Sequence, residues 1–245
     1  MKPRIFATIE ARMTSTRLPG KVLMEAIGKS MLELMIERLR RIPELDGVIL
    51  CTTVNKADNK VADLADSLGI HCHRGSEEDV MLRVLEGAKA HGADIIVQTT
   101  GDCPLIDPEI SGQVLRTYLA GGWDFVANNT LRSYPIGMDT RVFSTATLAD
   151  AASRTNSSYD HEHVSTFMPN NPEIYRCMNL SAPAAFHDPE LRLTLDTPED
   201  FRVISAIFEE LYPRNPDFRL AEMFDLLRHR PELRAISAHV QQKNV

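Results

Sequence analysis

The 245-residue sequence has no stretch near the ~18 apolar residues of a membrane helix, and its first apolar run is too short for a signal sequence. Its four cysteines form no Cys-x-x-Cys pair, which favours reduced thiols over a disulfide framework. Its 27 lysines and arginines are outnumbered by 34 aspartates and glutamates, so the net charge of −7 gives no basic field that would attract nucleic acid. These absences predict a cytoplasmic protein that binds neither membranes nor nucleic acid.

Short apolar runs alternate with segments of helical periodicity in the first hundred residues. The runs at 5–9, 48–53 and 95–97 predict strands, and the segments at 30–41, 61–68 and 76–91 predict helices. Strands separated by helices need crossover connections, so the pattern predicts an α/β fold with a mostly parallel sheet and helices on both faces. We expect one domain over residues 1–245, with a central excursion at about 130–190 where turn residues interrupt this rhythm.

Ligands of such sheets bind beyond the carboxyl ends of the strands, which directs attention to the loop after the first strand. Residues 11–21 place Arg12, Arg17 and Lys21 with several hydroxyls in a turn shaped by Pro19 and Gly20. Arginine forks, a lysine charge and loop amides suit a triphosphate, although a solvated basic loop explains the same cluster. The spacing matches neither a Walker loop nor a dinucleotide-binding glycine motif.

Two aspartates also stand where strands are predicted to end. Asp102 lies in the turn Gly-Asp-Cys-Pro after the third strand, and Asp196 directly precedes a helix start at Thr197 and Pro198. Magnesium binds one or two carboxylates together with phosphate oxygens and water, so this pair predicts a Mg²⁺ site. An aspartate that only hydrogen-bonds its own turn is the alternative for Asp102.

The loop at 11–21, the acidic turn at 101–104 and the segment at 192–200 resemble, in this order, the signatures of the cytidylyltransferases that activate deoxy-octulosonate and acylneuraminate sugar acids. The whole chain is similar to the spore coat polysaccharide branch of that group. The resemblance implies a Rossmann-like, GT-A-like nucleotidyltransferase fold. It also implies transfer of CMP from CTP to an acidic sugar with release of pyrophosphate, in the synthesis of surface polysaccharide or glycan. A homodimer formed through the central excursion is a further implication.

The resemblance also assigns roles to individual residues. Catalytic roles fall to Arg12, Lys21 and Asp102, and Asp102 and Asp196 are the implied magnesium ligands. The implied nucleotide contacts are Ala11, Arg12, Ser15, Arg17, Lys21, Arg74, Ser76, Asp79 and Gln98. The implied acceptor contacts are Tyr134, Asp139, Glu162 and His163. Two residues depart from the octulosonate pattern, since Glu10 stands where an uncharged residue is usual and Cys103 replaces a glutamate.

The same residues also fit other structures and functions. Helix capping explains the segment at 74–79 as well as nucleotide binding does. His161 and His163 lack the spacing of a helical zinc motif. The competing functions are a nucleotidyltransferase that uses another nucleoside triphosphate, one that uses a sugar phosphate or phosphonate acceptor, and a protein that binds CTP without turning it over.

Overall fold

The computed structural model describes residues 2–242, and its centre is a seven-stranded sheet. Within residues 2–242 the nine strands are β1 (Ile5–Glu10), β2 (Glu25–Ala26), β3 (Lys29–Ser30), β4 (Gly47–Thr53), β5 (His71–Gly75), β6 (Ile95–Thr100), β7 (Phe125–Ala127), β8 (Arg141–Ser144) and β9 (Cys177–Asn179). The large sheet has the order β5-β4-β1-β6-β8-β7-β9, and β2 pairs with β3 in a separate hairpin.

The helices are α1 (Met31–Leu39), α2 (Asn59–Ser67), α3 (Val80–His91), α4 (Pro108–Leu119), α5 (Thr145–Arg154), α6 (Ser158–His163), α7 (Phe167–Asn170), α8 (Pro198–Leu211), α9 (Leu220–His229) and α10 (Pro231–Ser237). None of the helices in the described range is long and apolar enough to cross a membrane.

The sheet is parallel except at one strand. β5, β4, β1 and β6 run in the same direction, whereas β8 runs antiparallel to both β6 and β7. The predicted mostly parallel sheet is therefore confirmed. Because β8 is reversed, its first residue, Arg141, lies opposite Gln98 near the carboxyl end of β6.

Both faces of the sheet are covered by helices, as predicted. Ile5, Ala7 and Ile9 of β1 pack on one face in a core shared with α1, α2 and α4. Phe6 projects to the other face, where the core is shared with α3 and α5. A third apolar cluster joins the opposite side of α1 to helices α8, α9 and α10.

The predicted helix starts are mostly accurate because their capping residues act locally. Ser30 accepts a hydrogen bond from the Glu33 amide, and Thr197 and Asp200 form a full capping box at the start of α8. Two boundaries were wrong. α1 ends at Leu39 rather than near residue 41, and α3 begins at Val80 rather than 76, because the Asp79 side chain caps it by accepting from the Leu82 amide.

The central region contains more helix than the sequence predicted. Residues 141–143 lie in strand β8, and of residues 174–180 only the three residues of β9 form a strand. Between them lie α5, α6 and α7, whose short lengths gave little periodicity to read. This region forms the wall of the cavity that faces the loop at 11–21.

Candidate active site

A cavity of about 760 Å³ lies at the carboxyl ends of β1 and β6 and the beginning of β8. The predicted site residues that line it are Ala11, Arg12, Ser15, Arg17, Lys21, Gln98, Asp102, Asp139, Glu162, His163 and Asp196. The fold therefore brings the cationic loop, the two aspartates and part of the central region to one place. The lining of the cavity is more polar than apolar, which suits charged substrates.

Lys21 is the point where the cationic loop meets the two acids. It begins a short 3-10 turn directly after Gly20, whose φ of 74° lies in the left-handed region that glycine favours. Its ammonium donates to Asp196 Oδ1 at 2.9 Å and to Asp102 Oδ2 at 3.3 Å. Burial alone would lower the pKa of Lys21, but the two carboxylates raise it above its ordinary value. The group therefore stays a cation in this site.

The two acidic segments are joined through their backbones. The Leu195 amide donates to the Asp102 carbonyl at 2.7 Å, and the Thr194 hydroxyl donates to the same oxygen at 3.1 Å. Burial favours the neutral form of Asp102, but Lys21 and a 2.6 Å hydrogen bond from Thr100 hold its pKa below the ordinary range. Asp102 thus presents an ionised carboxylate, on a backbone frame that it shares with the segment of Asp196.

Asp196 carries further positive neighbours. Arg17 lies 2.9 Å from its Oδ1, and Arg192 lies 3.5 Å from its Oδ2 while pairing more closely with Asp200 at 2.9 Å. Asp196 is only 4% exposed, so it needs these partners to remain charged. Arg17 and Lys21 are consequently both held at the acids.

Arg12 lines the same cavity, but its ion-pair partner is Glu77 and not one of the two aspartates. Its guanidinium pairs with Glu77 at 3.1 Å, and Glu77 also accepts from Thr14 at 2.9 Å and from Asn55 at 2.6 Å. This carboxylate therefore ties the cationic loop to the segments after β4 and β5.

Four predicted contact residues lie outside the cavity wall. Arg74 donates to the carbonyls of Thr53 and Asn55, both at 2.9 Å. Ser76 accepts from the Asp79 amide, and Asp79 caps α3. Tyr134 is 2% exposed and packs in the apolar cluster of α8. Their roles in nucleotide or acceptor binding stay predictions.

The central region brings two arginines that the sequence did not single out for the site. Arg132 holds Asp139 with two hydrogen bonds of 2.9 and 2.8 Å, so the predicted acceptor residue Asp139 is already paired. Arg141 lines the cavity and forms no ion pair with a carboxylate of residues 2–242. No local motif marks either arginine, because only the reversal of β8 and the turn before it direct them here.

A hydrogen-bonded chain runs along the cavity wall beside these arginines. The Ser165 hydroxyl donates to Gln98 Oε1 at 2.6 Å, and Gln98 Nε2 donates to Glu10 Oε2 at 3.3 Å. Burial raises the pKa of Glu10 to about 7, against the lowering effects of Gln98 and the charge of Arg141. The charge of Glu10 thus changes near neutral pH.

A parallel sheet with a cationic loop and two carboxylates at its carboxyl edge defines the chain as a nucleotidyltransferase. It belongs to the cytidylyltransferase family, whose model matches residues 6–237. Among its relatives is the spore coat polysaccharide biosynthesis protein SpsF of Bacillus subtilis, 32% identical over 234 residues, which are 93% of this chain and 95% of SpsF.

Two further comparisons agree with this family. The 3-deoxy-manno-octulosonate cytidylyltransferase of Pelobacter propionicus is 38% identical over 117 residues, covering 47% of this chain and 44% of that protein. The solved structure of a cytidylyltransferase from Leptospira borgpetersenii superposes over 100% of both chains with a TM-score of 0.88 and 28% identity. The family and fold implied by the sequence motifs are therefore confirmed.

Proposed function

We propose that this chain transfers the cytidylyl group of CTP to a hydroxyl of an acidic sugar of the deoxy-octulosonate or nonulosonate type, releasing pyrophosphate. The observation that carries the proposal is the Lys21 ammonium held between Asp102 and Asp196, at the end of a cationic loop. The names of two relatives, a spore coat polysaccharide biosynthesis protein and an octulosonate cytidylyltransferase, support a sugar acid for surface polysaccharide as the acceptor.

The cationic loop would bind the triphosphate. Arg12 and Lys21 supply the charges that offset the negative charge growing on pyrophosphate, while Ser15 and Arg17 contact further phosphate oxygens. The acceptor oxygen forms a bond to the α-phosphorus, the bond from that phosphorus to the bridging oxygen breaks, and the hydroxyl proton is released. Catalysis then depends on positioning and electrostatics without a covalent enzyme intermediate.

Asp102 and Asp196 fit magnesium as ligands. Both are carboxylates and both already bind one shared cation, and residues 2–242 contain no group of three acidic, histidine or cysteine side chains that would complete a metal site from protein alone. This donor set matches the preference of Mg²⁺ for one or two carboxylates with phosphate oxygens and water. Bound there, the ion would neutralise charge on the α-phosphate.

The acceptor would lie against the central region. An acidic sugar needs a cation for its carboxylate, and Arg141 offers one that no carboxylate of the described chain occupies. Glu162 and His163 line the same wall and would contact its hydroxyls. Asp139, held by Arg132, contributes to this wall as a pair and not as a free carboxylate.

An acceptor screen tests this function. Purified chain, CTP and magnesium are incubated with a panel of sugar acids, sugar phosphates and phosphonates, and pyrophosphate release is measured. We expect release with a sugar acid and little with the other classes. Turnover only with a phosphate or phosphonate would overturn the acceptor class, and CTP binding without release across the whole panel would favour a binding protein.

A further inference from the structure

We propose that Glu10 is a specificity-determining residue, whose free carboxylate oxygen accepts a hydrogen bond from the exocyclic amine of the nucleobase and so selects cytosine over uracil. The proposal rests on the proposed function, because it concerns the nucleotide that occupies this cavity. It assigns a role to one of the two residues at which the chain departs from the octulosonate pattern.

Glu10 has one carboxylate oxygen without a hydrogen-bond partner in residues 2–242. Oε2 accepts from Gln98, whereas Oε1 is shielded from solvent and accepts no hydrogen bond within residues 2–242. An unpaired polar atom in such a place costs free energy until a donor arrives. Glu10 lines the cavity, and a donor on a bound molecule would satisfy Oε1.

Gln98 is not available to bind the base itself. Its amide oxygen accepts from Ser165 and its amide nitrogen donates to Glu10, so both ends are in use. The chain from Ser165 through Gln98 instead fixes which carboxyl oxygen stays free. Gln98 is therefore a positioning residue for Glu10.

The substrates differ in whether they can donate a hydrogen bond to a carboxylate. The triphosphate is anionic and would be repelled by Glu10, and the carboxylate of the acceptor is assigned to Arg141. Cytosine is neutral and presents an amine donor at the position where uracil presents a carbonyl oxygen. A carboxylate accepts from the first group and faces the lone pairs of the second, which is an arrangement that discriminates strongly.

The position of Glu10 relative to the cationic loop also favours a contact with the base. Ile9 and Ala11 pack on the sheet face of α1, together with Val22 from the turn that carries Lys21. Glu10 alternates with them and projects to the face of α3, so strand β1 itself separates its carboxyl group from that turn. The residues expected to read the base, Arg74 and Asp79, are engaged by backbone carbonyls and by helix capping.

The test measures nucleotide binding without acceptor, by isothermal titration calorimetry with magnesium at pH 8. We expect the wild-type chain to bind CTP at least about tenfold more tightly than UTP, the size expected for one hydrogen bond to a charged group. In Glu10→Gln, the Gln98 amide nitrogen donates to the introduced amide oxygen. The introduced NH₂ group therefore faces the base and favours uracil. The CTP/UTP ratio should fall at least about tenfold.

Two further variants complete the test. Glu10→Ala removes the acceptor without adding a donor, so it should lose affinity for CTP and gain affinity for UTP through the loss of repulsion. Glu86→Gln makes the same chemical change on the exposed surface of α3 and should leave the ratio unaltered. Circular dichroism melting of each variant verifies that it is folded.

The outcomes separate the two proposals. A wild-type preference for CTP that Glu10→Gln retains overturns the role of Glu10 and leaves the proposed function standing. An equal loss of CTP and UTP affinity also overturns it, since it shows that Glu10 contacts the ribose or supports the loop. Failure of the wild-type chain to bind any nucleoside triphosphate overturns the proposed function as well.

Discussion

Lys21 and Asp196 lie 175 residues apart in the sequence, and the Lys21 ammonium donates a 2.9 Å hydrogen bond to Asp196 Oδ1. One residue ends the cationic loop after β1 and the other immediately precedes α8, so the contact joins the first and last parts of the domain. Asp102, from the turn after β6, completes the group. The site is thus an arrangement that only the folded sheet assembles.

Lys21→Ala should reduce pyrophosphate release by at least about a hundredfold, because it removes a cation that offsets charge on the departing group. The same change leaves Asp102 and Asp196 facing each other with less compensation, so a modest loss of thermal stability is expected. Magnesium should partly restore that stability if both acids bind it.

Lys60→Ala is the matched control for this experiment. Lys60 is exposed on α2 and outside the cavity, so turnover and melting temperature should remain those of the wild-type chain. A Lys21→Ala protein that turned over at the wild-type rate would contradict the assignment of Lys21.

Asp102→Asn should abolish the magnesium dependence of CTP binding and lower turnover by at least about a hundredfold. An amide is a weaker ligand for Mg²⁺ than a carboxylate, and it cannot balance the charge of Lys21. Thermal shift with CTP, with and without magnesium, checks the binding step, since a ligand stabilises the fold by mass action. An undiminished magnesium-dependent shift in Asp102→Asn would place the ion elsewhere.

Arg141→Ala should raise the KM for the acceptor about tenfold or more and leave CTP affinity unchanged, because it removes the cation that would bind the acceptor carboxylate. Steady-state kinetics with varied acceptor and CTP separate the two effects. Arg154→Ala, on the surface of α5, is the control. A rise in the KM for CTP alone would assign Arg141 to the nucleotide instead.

The raised pKa of Glu10 predicts a specific dependence of stability on pH. Between its ordinary value of 4.5 and about 7, the folded chain holds a proton that the unfolded chain has released. The free energy of unfolding should therefore fall as pH rises through this window, by up to about 3 kcal/mol, less where cavity water solvates the carboxylate. Glu10→Gln removes this contribution.

Urea unfolding of the wild-type chain and Glu10→Gln at pH 5 and pH 8 measures the difference. We expect the variant to gain stability relative to the wild-type chain as pH rises, because other titrating groups contribute equally to both. Parallel pH profiles would show that Glu10 titrates normally.

Gly137→Ala should destabilise the fold by about 3 kcal/mol or more. Gly137 has a φ of 104°, and a Cβ atom there would lie 2.5 Å from the Leu193 carbonyl oxygen, which is fixed backbone. Gly121 has a similar φ of 89° but open space around it, so Gly121→Ala carries the conformational cost without the clash. Urea unfolding of both variants checks the difference, and equal losses would argue against the close approach.

The sequence predicted the parts of this protein that depend on local chemistry. The strands β1, β4 and β6 follow from short apolar runs, and the capping residues Ser30 and Thr197 mark helix starts because they bond to their own first turns. The cationic loop and the aspartates were recognised from motifs whose residue types suit phosphate and magnesium. The homodimer implied by the resemblance stays a prediction.

The acceptor side could not be read in the same way. Arg132 and Arg141 reach the cavity through a reversed strand and the turn before it, and no spacing in the sequence records that path. Conversely, Arg74 and Asp79 are polar residues in a promising segment, but backbone carbonyls and the α3 amides engage them. Tertiary packing decides which polar side chains remain available.

The reversed strand β8 has a consequence for how such enzymes diversify. In the parallel strands, the chain leaves the sheet at the substrate edge, whereas in β8 it arrives there, so the turn at 129–140 feeds directly into Arg141. Insertions or exchanges in that turn would reshape the proposed acceptor pocket while leaving the loop at 11–21 and the turn at 101–104 untouched. We expect related chains to adopt new sugars by remodelling this entry turn, with the donor half inherited unchanged.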